Sequence, residues 1–217
     1  MQRRPYPLLP KPGDNSGGEY MSDTIAPLPS MDPDGLECFK TIINQSKCYL
    51  EYGTGGSTVY AADVAGVPVI ISVESDSDWV GKVRRSIANP DIQSYVNYCD
   101  IGDVGDWGVP TGRDHIDRFW TYAVNPWNTA NNLGFRPDTI LVDGRFRVVS
   151  FIFSLVSAEP GATLMFDDYY DRPEYAVVEE LCKPIERHGR MAVFKAAKPP
   201  SMPRAMELAM QNSINWG

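Results

Sequence analysis

The sequence predicts an α/β fold: a three-layer sandwich around a mostly parallel seven-stranded sheet, with an antiparallel C-terminal strand pair. Three observations carry this. Short apolar runs alternate with segments of helical spacing over most of the 217 residues. The runs are continuously apolar, as in VPVIISVE, which suits parallel strands covered on both faces. The last two strand patterns, within 185–196, follow each other around His188–Gly189 with no helix between them.

The elements follow in order. Residues 32–45 open with helix-favouring acids and keep a helical apolar spacing. CYLEYG (48–53) reads as a buried strand, and 56–65 as a helix stopped by Gly66. VPVIISVE (67–74) is the second strand, and 75–89 a helix capped by Ser75 or Ser77. Strands follow at 92–102, 138–144 and 162–169, and helices at 145–157 and 173–183, the last with Pro173 in its first turn. Residues 1–30 hold most of the seven prolines found before position 34 and read as a flexible arm. The domain is expected over 31–198, with an insert at 102–132 and a tail at 199–217.

A net charge of −8 makes nucleic acid a poor partner, because phosphate binding needs a basic face. No apolar run is long enough to span a bilayer, and the first residues carry no secretory signal, so a cytoplasmic protein is expected. Cys38, Cys48, Cys99 and Cys182 form no CxxC pair and read as free thiols in a reducing compartment.

In parallel sheets ligands bind beyond the carboxyl ends of the strands. Here those ends carry Glu51–Gly56, Glu74–Asp76, Asp100–Asp103, Asp143–Arg145 and Asp167–Asp168. Some of these acids are alternatively helix caps. The turn EYGTGGS (51–57) lacks the lysine of a phosphate loop, and Thr58 replaces the third glycine of a dinucleotide fingerprint. Glu51 would repel a pyrophosphate but suits a ligand with positive charge. S-adenosylmethionine carries an ammonium and a sulfonium and no phosphate.

EYGTGGS followed by VISVESD resembles the first two motifs of class I S-adenosylmethionine-dependent methyltransferases, over about residues 36–197. Ser57 departs from the usual small residue. The resemblance implies that Glu51 contacts the methionine amino group directly or through water. It implies that Tyr52, Gly53, Thr54, Gly55, Gly56 and Ser57 line the cofactor, and that Glu74 and Ser75 hold the ribose. Asp100 would face the adenine amino group, unless it is a turn residue, with Ile101 packing on the ring.

LVDG and FDDY are similar to metal-dependent O-methyltransferases, which implies Asp143, Asp167 and Asp168 as Mg²⁺ ligands at the acceptor hydroxyl. Alternatively Asp143 orients substrate alone. Arg145 and Arg147 either clamp an anionic group of the substrate or brace the acidic cluster. His115, in the insert, is a candidate general base or a lone surface histidine. Trp107, Trp120 and Trp127 would stack on a small-molecule or glycan acceptor, or form local core. The expected activity is methyl transfer to a hydroxyl. The rivals are a methyltransferase-like binding protein without turnover and a nicotinamide-dependent oxidoreductase.

Overall fold

The structure, a computed structural model, describes residues 23–197 and 200–217. The seven strands β1 (Cys48–Tyr52), β2 (Val69–Glu74), β3 (Gln93–Tyr98), β4 (Thr139–Val142), β5 (Thr163–Phe166), β6 (Glu186–His188) and β7 (Met191–Lys195) form one sheet in the order β3-β2-β1-β4-β5-β7-β6. The first five are mutually parallel, and β7 runs antiparallel to both β5 and β6. The order reverses direction between β1 and β4, so the ligand crevice of this topology lies above those two strands.

Side chains alternate across β1. Leu50 and Tyr52 join a core with α4 (Phe119–Leu133), α5 (Arg147–Ser157) and α6 (Met202–Asn212). Tyr49 faces the opposite core, with Phe39 and Ile43 of α1 (Pro33–Ile43). Asp32 caps α1 through Gly35 and also accepts from the Arg190 amide at 2.8 Å, so one carboxylate ties the helix start to the β6–β7 turn. A three-way polar link knits the other layer. Trp127 Nε1 donates to Ser154 Oγ, which donates to Tyr52 Oη, which donates to the Ala123 carbonyl at 2.8 Å.

Four expectations need revision. The insert at 102–132 is half regular: α4 fills its second part and buries Phe119, Tyr122, Ala123, Trp127 and Ala130 on one face. Pro126 inside that helix and the polar residues around it mask the period. The tail holds α6, which packs Ala205 and Leu208 against the core. The segment 173–183 is a 3₁₀ stretch, Pro173–Glu180. Of the arm, residues 1–22 lie outside the described residues, but Ile25 packs beside Val80 and Val83 of α3 (Ser77–Ser86).

The glycine turn leads from β1 into a short helical segment, α2 (Gly56–Val59), followed by a π-helical turn at Tyr60–Val64. Gly53 adopts φ +84°, a left-handed conformation that glycine takes without strain. Glu51 is fully buried and holds this turn. Its carboxylate accepts from Tyr49 Oη at 2.8 Å, Ser57 Oγ at 2.9 Å and Thr58 Oγ1, and Thr58 Oγ1 accepts in turn from the Gly55 amide. Across the crevice the turn meets Gly144. A Cβ on Gly144 would stand 2.5 Å from the Gly53 nitrogen and 2.2 Å from Tyr122 Oη.

Two outcomes follow. Gly144→Ala forces the β1 and β4 ends apart and lowers unfolding free energy by about 2 kcal/mol or more, read from the urea midpoint. Burial raises Glu51 to about 7 against the pull of its three hydroxyl donors. A carboxyl raised in the folded state stabilises fully below its unfolded value of 4.5 and loses that contribution as pH rises toward 7. Wild type should therefore lose up to roughly 3 kcal/mol more than Glu51→Gln between about pH 4.5 and 7. The slope left in the variant belongs to Glu74, Asp143 and Asp167, which are raised in the same direction.

Candidate functional site

The ends of β1 and β2 lie side by side. The Thr54 amide donates to Glu74 Oε2 at 3.3 Å, while Glu74 Oε1 accepts from the Ser75 amide at 2.6 Å and the Asp76 amide at 3.3 Å. Burial raises the Glu74 carboxyl, and these amides oppose it. Trp79 of α3 lies over the turn and donates Nε1 to the Thr54 carbonyl at 2.7 Å.

The residues here fit S-adenosylmethionine on two counts. Thr54 Oγ1 is buried with no hydrogen-bond partner among the described residues. A Cβ at Gly55 would meet only the edge of Trp79, at 3.9 Å, so the backbone offers a close approach at that point.

Among the described residues, two segments cover this ledge. The Leu28 carbonyl rests on Gly56, where a Cβ would lie 2.1 Å from it. The loop after β3 is pinched by a bridge between Val104 and Pro110 and sets Gly108 over Glu74. A Cβ on Gly108 would stand 2.8 Å from Glu74 Oε1, and the Gly108 carbonyl accepts from Ser75 Oγ at 3.0 Å.

The other expected cofactor residues scatter. Tyr52 and Ile101 are core, and Ser57 is spent on Glu51. Asp100 is exposed, accepts from the Gly102 amide and pairs with Arg118 at 2.6 Å. The His115 ring packs on Gly102, past the end of β3, whereas Asp143 ends β4. Three strand positions thus separate the strand ends beside the two proposed catalytic groups. Trp127 is core, while Trp107 and Trp120 are exposed.

Asp143, Asp167 and Asp168 do converge, with an oxygen from each within 4.8 Å of the others. Their charge is already met. Arg147 is 4% exposed and reaches Asp143 Oδ1 and Asp168 Oδ2, each at 3.0 Å. It also donates to the carbonyls of Gly144, Asp143 and Asp167. Arg190 grips Asp167 Oδ2 at 2.8 Å and Asp168 Oδ1 at 3.0 Å. A divalent cation would have to displace or sit against these guanidiniums, so the donor set does not fit Mg²⁺ in this arrangement. Burial, with Asp167 and Asp168 nearby, raises Asp143 against the pull of Arg147.

Sequence reasoning misses Arg190, which reaches the site only through the pairing of β5 with β7. The antiparallel register Phe166↔Ala192 carries residue 190 to the level of the Asp167–Asp168 pair. Arg172, Trp79 and Tyr122 had no local signal either.

No protein-family model and no curated protein matches the chain. Among solved structures, a methyltransferase-like protein from Silicibacter pomeroyi is 34% identical, covers 88% of this chain and 98% of its own, and superposes with a TM-score of 0.78. A candidate O-methyltransferase from Klebsiella pneumoniae is 15% identical over 79% of this chain and 84% of its own, with a TM-score of 0.49. The N-methyltransferase NodS from Bradyrhizobium japonicum is 12% identical over 77% of this chain and 98% of its own, with a TM-score of 0.44. With the order of strands, the glycine turn and the acid ending β2, the first of these likenesses places the chain: it belongs to the class I, Rossmann-like methyltransferase superfamily.

Proposed function

We propose that the protein transfers a methyl group from S-adenosylmethionine to a hydroxyl of a small molecule or glycan, without a metal. The observation that carries this is the hydrogen bond joining the Thr54 amide to Glu74, which sets the glycine turn and the ribose-type acid into one ledge beside the switch point. S-adenosylmethionine supplies an electrophilic methyl on its sulfonium. The protein's part is mostly positioning. Glu74 accepts from the ribose hydroxyls, the Thr54–Gly55 backbone lies against the cofactor, and Trp79 bounds it.

Glu51 acts from beneath by fixing the turn. Asp143, part-exposed at the lip of β4, orients the acceptor hydroxyl and takes its proton. Arg147 and Arg190 replace a cation in holding the three aspartates together. A second reading, binding without turnover, draws support from Leu28 and Gly108 lying across the ledge.

Calorimetric titration with S-adenosylmethionine tests the reading. Binding is expected to be equal in Mg²⁺ and in chelator. Glu74→Ala should weaken it by about 100-fold, as expected for two hydrogen bonds to a charged group, with Glu74→Gln as the variant that keeps the shape. Binding of NADH in place of S-adenosylmethionine, or of neither, overturns the proposal. Binding without S-adenosylhomocysteine release across a library of hydroxylated acceptors would favour the second reading.

A further inference from the structure

Arg145 lies one residue beyond Gly144 at the crevice and differs from Arg147 in one respect. Among the described residues no carboxylate pairs with its guanidinium, although the residue is half-buried. Its backbone amide is anchored on Tyr122 Oη at 3.4 Å. Burial and the neighbouring Arg147 both push its pKa down, the mark of a cation short of a counter-charge.

Beside it stands Tyr175, 2% exposed, packed on Phe166 with ring centroids 4.8 Å apart and topped by Arg172 at 5.7 Å. The Tyr175 hydroxyl is buried with no hydrogen-bond partner among the described residues. Arg147, Arg172 and Arg145 all act on that phenol. A buried hydroxyl without a partner is costly, and here its ring lies under the Arg172 guanidinium. Arg172 is tethered to Asp168 at 3.7 Å.

The chain itself lies on this spot. The Trp216 carbonyl accepts from the Phe146 amide at 3.3 Å, and the Trp216 ring meets Phe119 edge to face. Gly217 then lies by both guanidiniums: a Cβ on it would stand 3.1 Å from Arg145 Nη1 and 3.5 Å from Arg172 Nη1.

We propose that Arg145, Arg172 and the Tyr175 hydroxyl form a subsite for an oxyanion, carboxylate or phosphate, carried by the methyl acceptor. This rests on the methyltransferase reading above. The planar fork of arginine suits either anion, the Tyr175 hydroxyl supplies a further donor, and the adjacent Asp143 holds the hydroxyl to be methylated. Residues 216–217 cover the subsite and leave when the acceptor enters.

The test is calorimetric titration of the full chain with inorganic phosphate and, separately, with benzoate, for wild type, Arg145→Gln, Arg172→Gln and Trp216→Ala. One of the two anions should bind wild type, at least about tenfold more weakly to each arginine variant and more tightly to Trp216→Ala. The preferred anion names the acceptor group. Failure of both anions to bind wild type and Trp216→Ala, or equal binding to Arg145→Gln, overturns the proposal. S-adenosylmethionine titrations of the same samples report separately on the cofactor ledge. Anion binding without S-adenosylmethionine binding would sink the methyltransferase reading and leave the anion site standing.

Discussion

The arrangement of the site depends on one buried cation, Arg147. Its guanidinium lies at the start of α5 and joins the ends of β4 and β5 through two carboxylates and three carbonyls. The chain reaches it through Phe146, held in the left-handed region at φ 51°. That is an uncommon conformation for a residue with a side chain and is kept only by its surroundings. A buried charge of this kind is tolerable only when fully paired. Once Arg147 is in place, the convergence of Asp143, Asp167 and Asp168 needs no cation. The same acids without the two arginines would be a plausible hard-metal site.

Much of this was legible in the sequence, and for identifiable reasons. Continuous apolar runs ending in acids mark β1, β2, β4 and β5, whereas β3, at the sheet edge, reads QSYVNY and ends near Asp100. The glycine turn and Glu74 were legible because their spacing is local. Glu51 was visible as an acid, but its role was not. Its partners Ser57 and Thr58 stand in the quoted motif, yet only the turn geometry shows that hydroxyls surround it. The pairing of Arg190 with Asp167 and Asp168 depends on the β5–β7 register, a non-local fact. α4 was hidden by Pro126 and its asparagines, which weaken helical propensity while tertiary packing of Trp127 and Tyr122 overrides it.

Among the described residues, the cover over the site comes from three places: Leu28 before α1, Gly108 after β3, and Trp216–Gly217 after α6. Leu28 and Gly108 meet the site through backbone atoms, and the last segment adds one partly buried ring, Trp216 on Phe119. Segments of that kind sit at the low-stability end of a structure and open without unfolding the sheet. The rigid part of the site is built from strand ends, and the movable part from irregular chain.

The central β1–β4 pairing has a consequence for how the molecule is made. Tyr49 pairs with Thr139, so the middle of the sheet joins segments far apart in the chain. The half containing β3, β2 and β1 can assemble from residues already synthesised, with α2 and α3 packing on it. Until Thr139–Val142 emerges, β1 has an open edge made of CYLEY, a wholly buried stretch in the finished fold. Such an edge invites pairing with another chain, and non-local closure is the slow step in sheets of this topology. The site at the switch point therefore cannot form until β4 has been made, and its Asp167, Asp168 and Arg190 wait for β5 and β7.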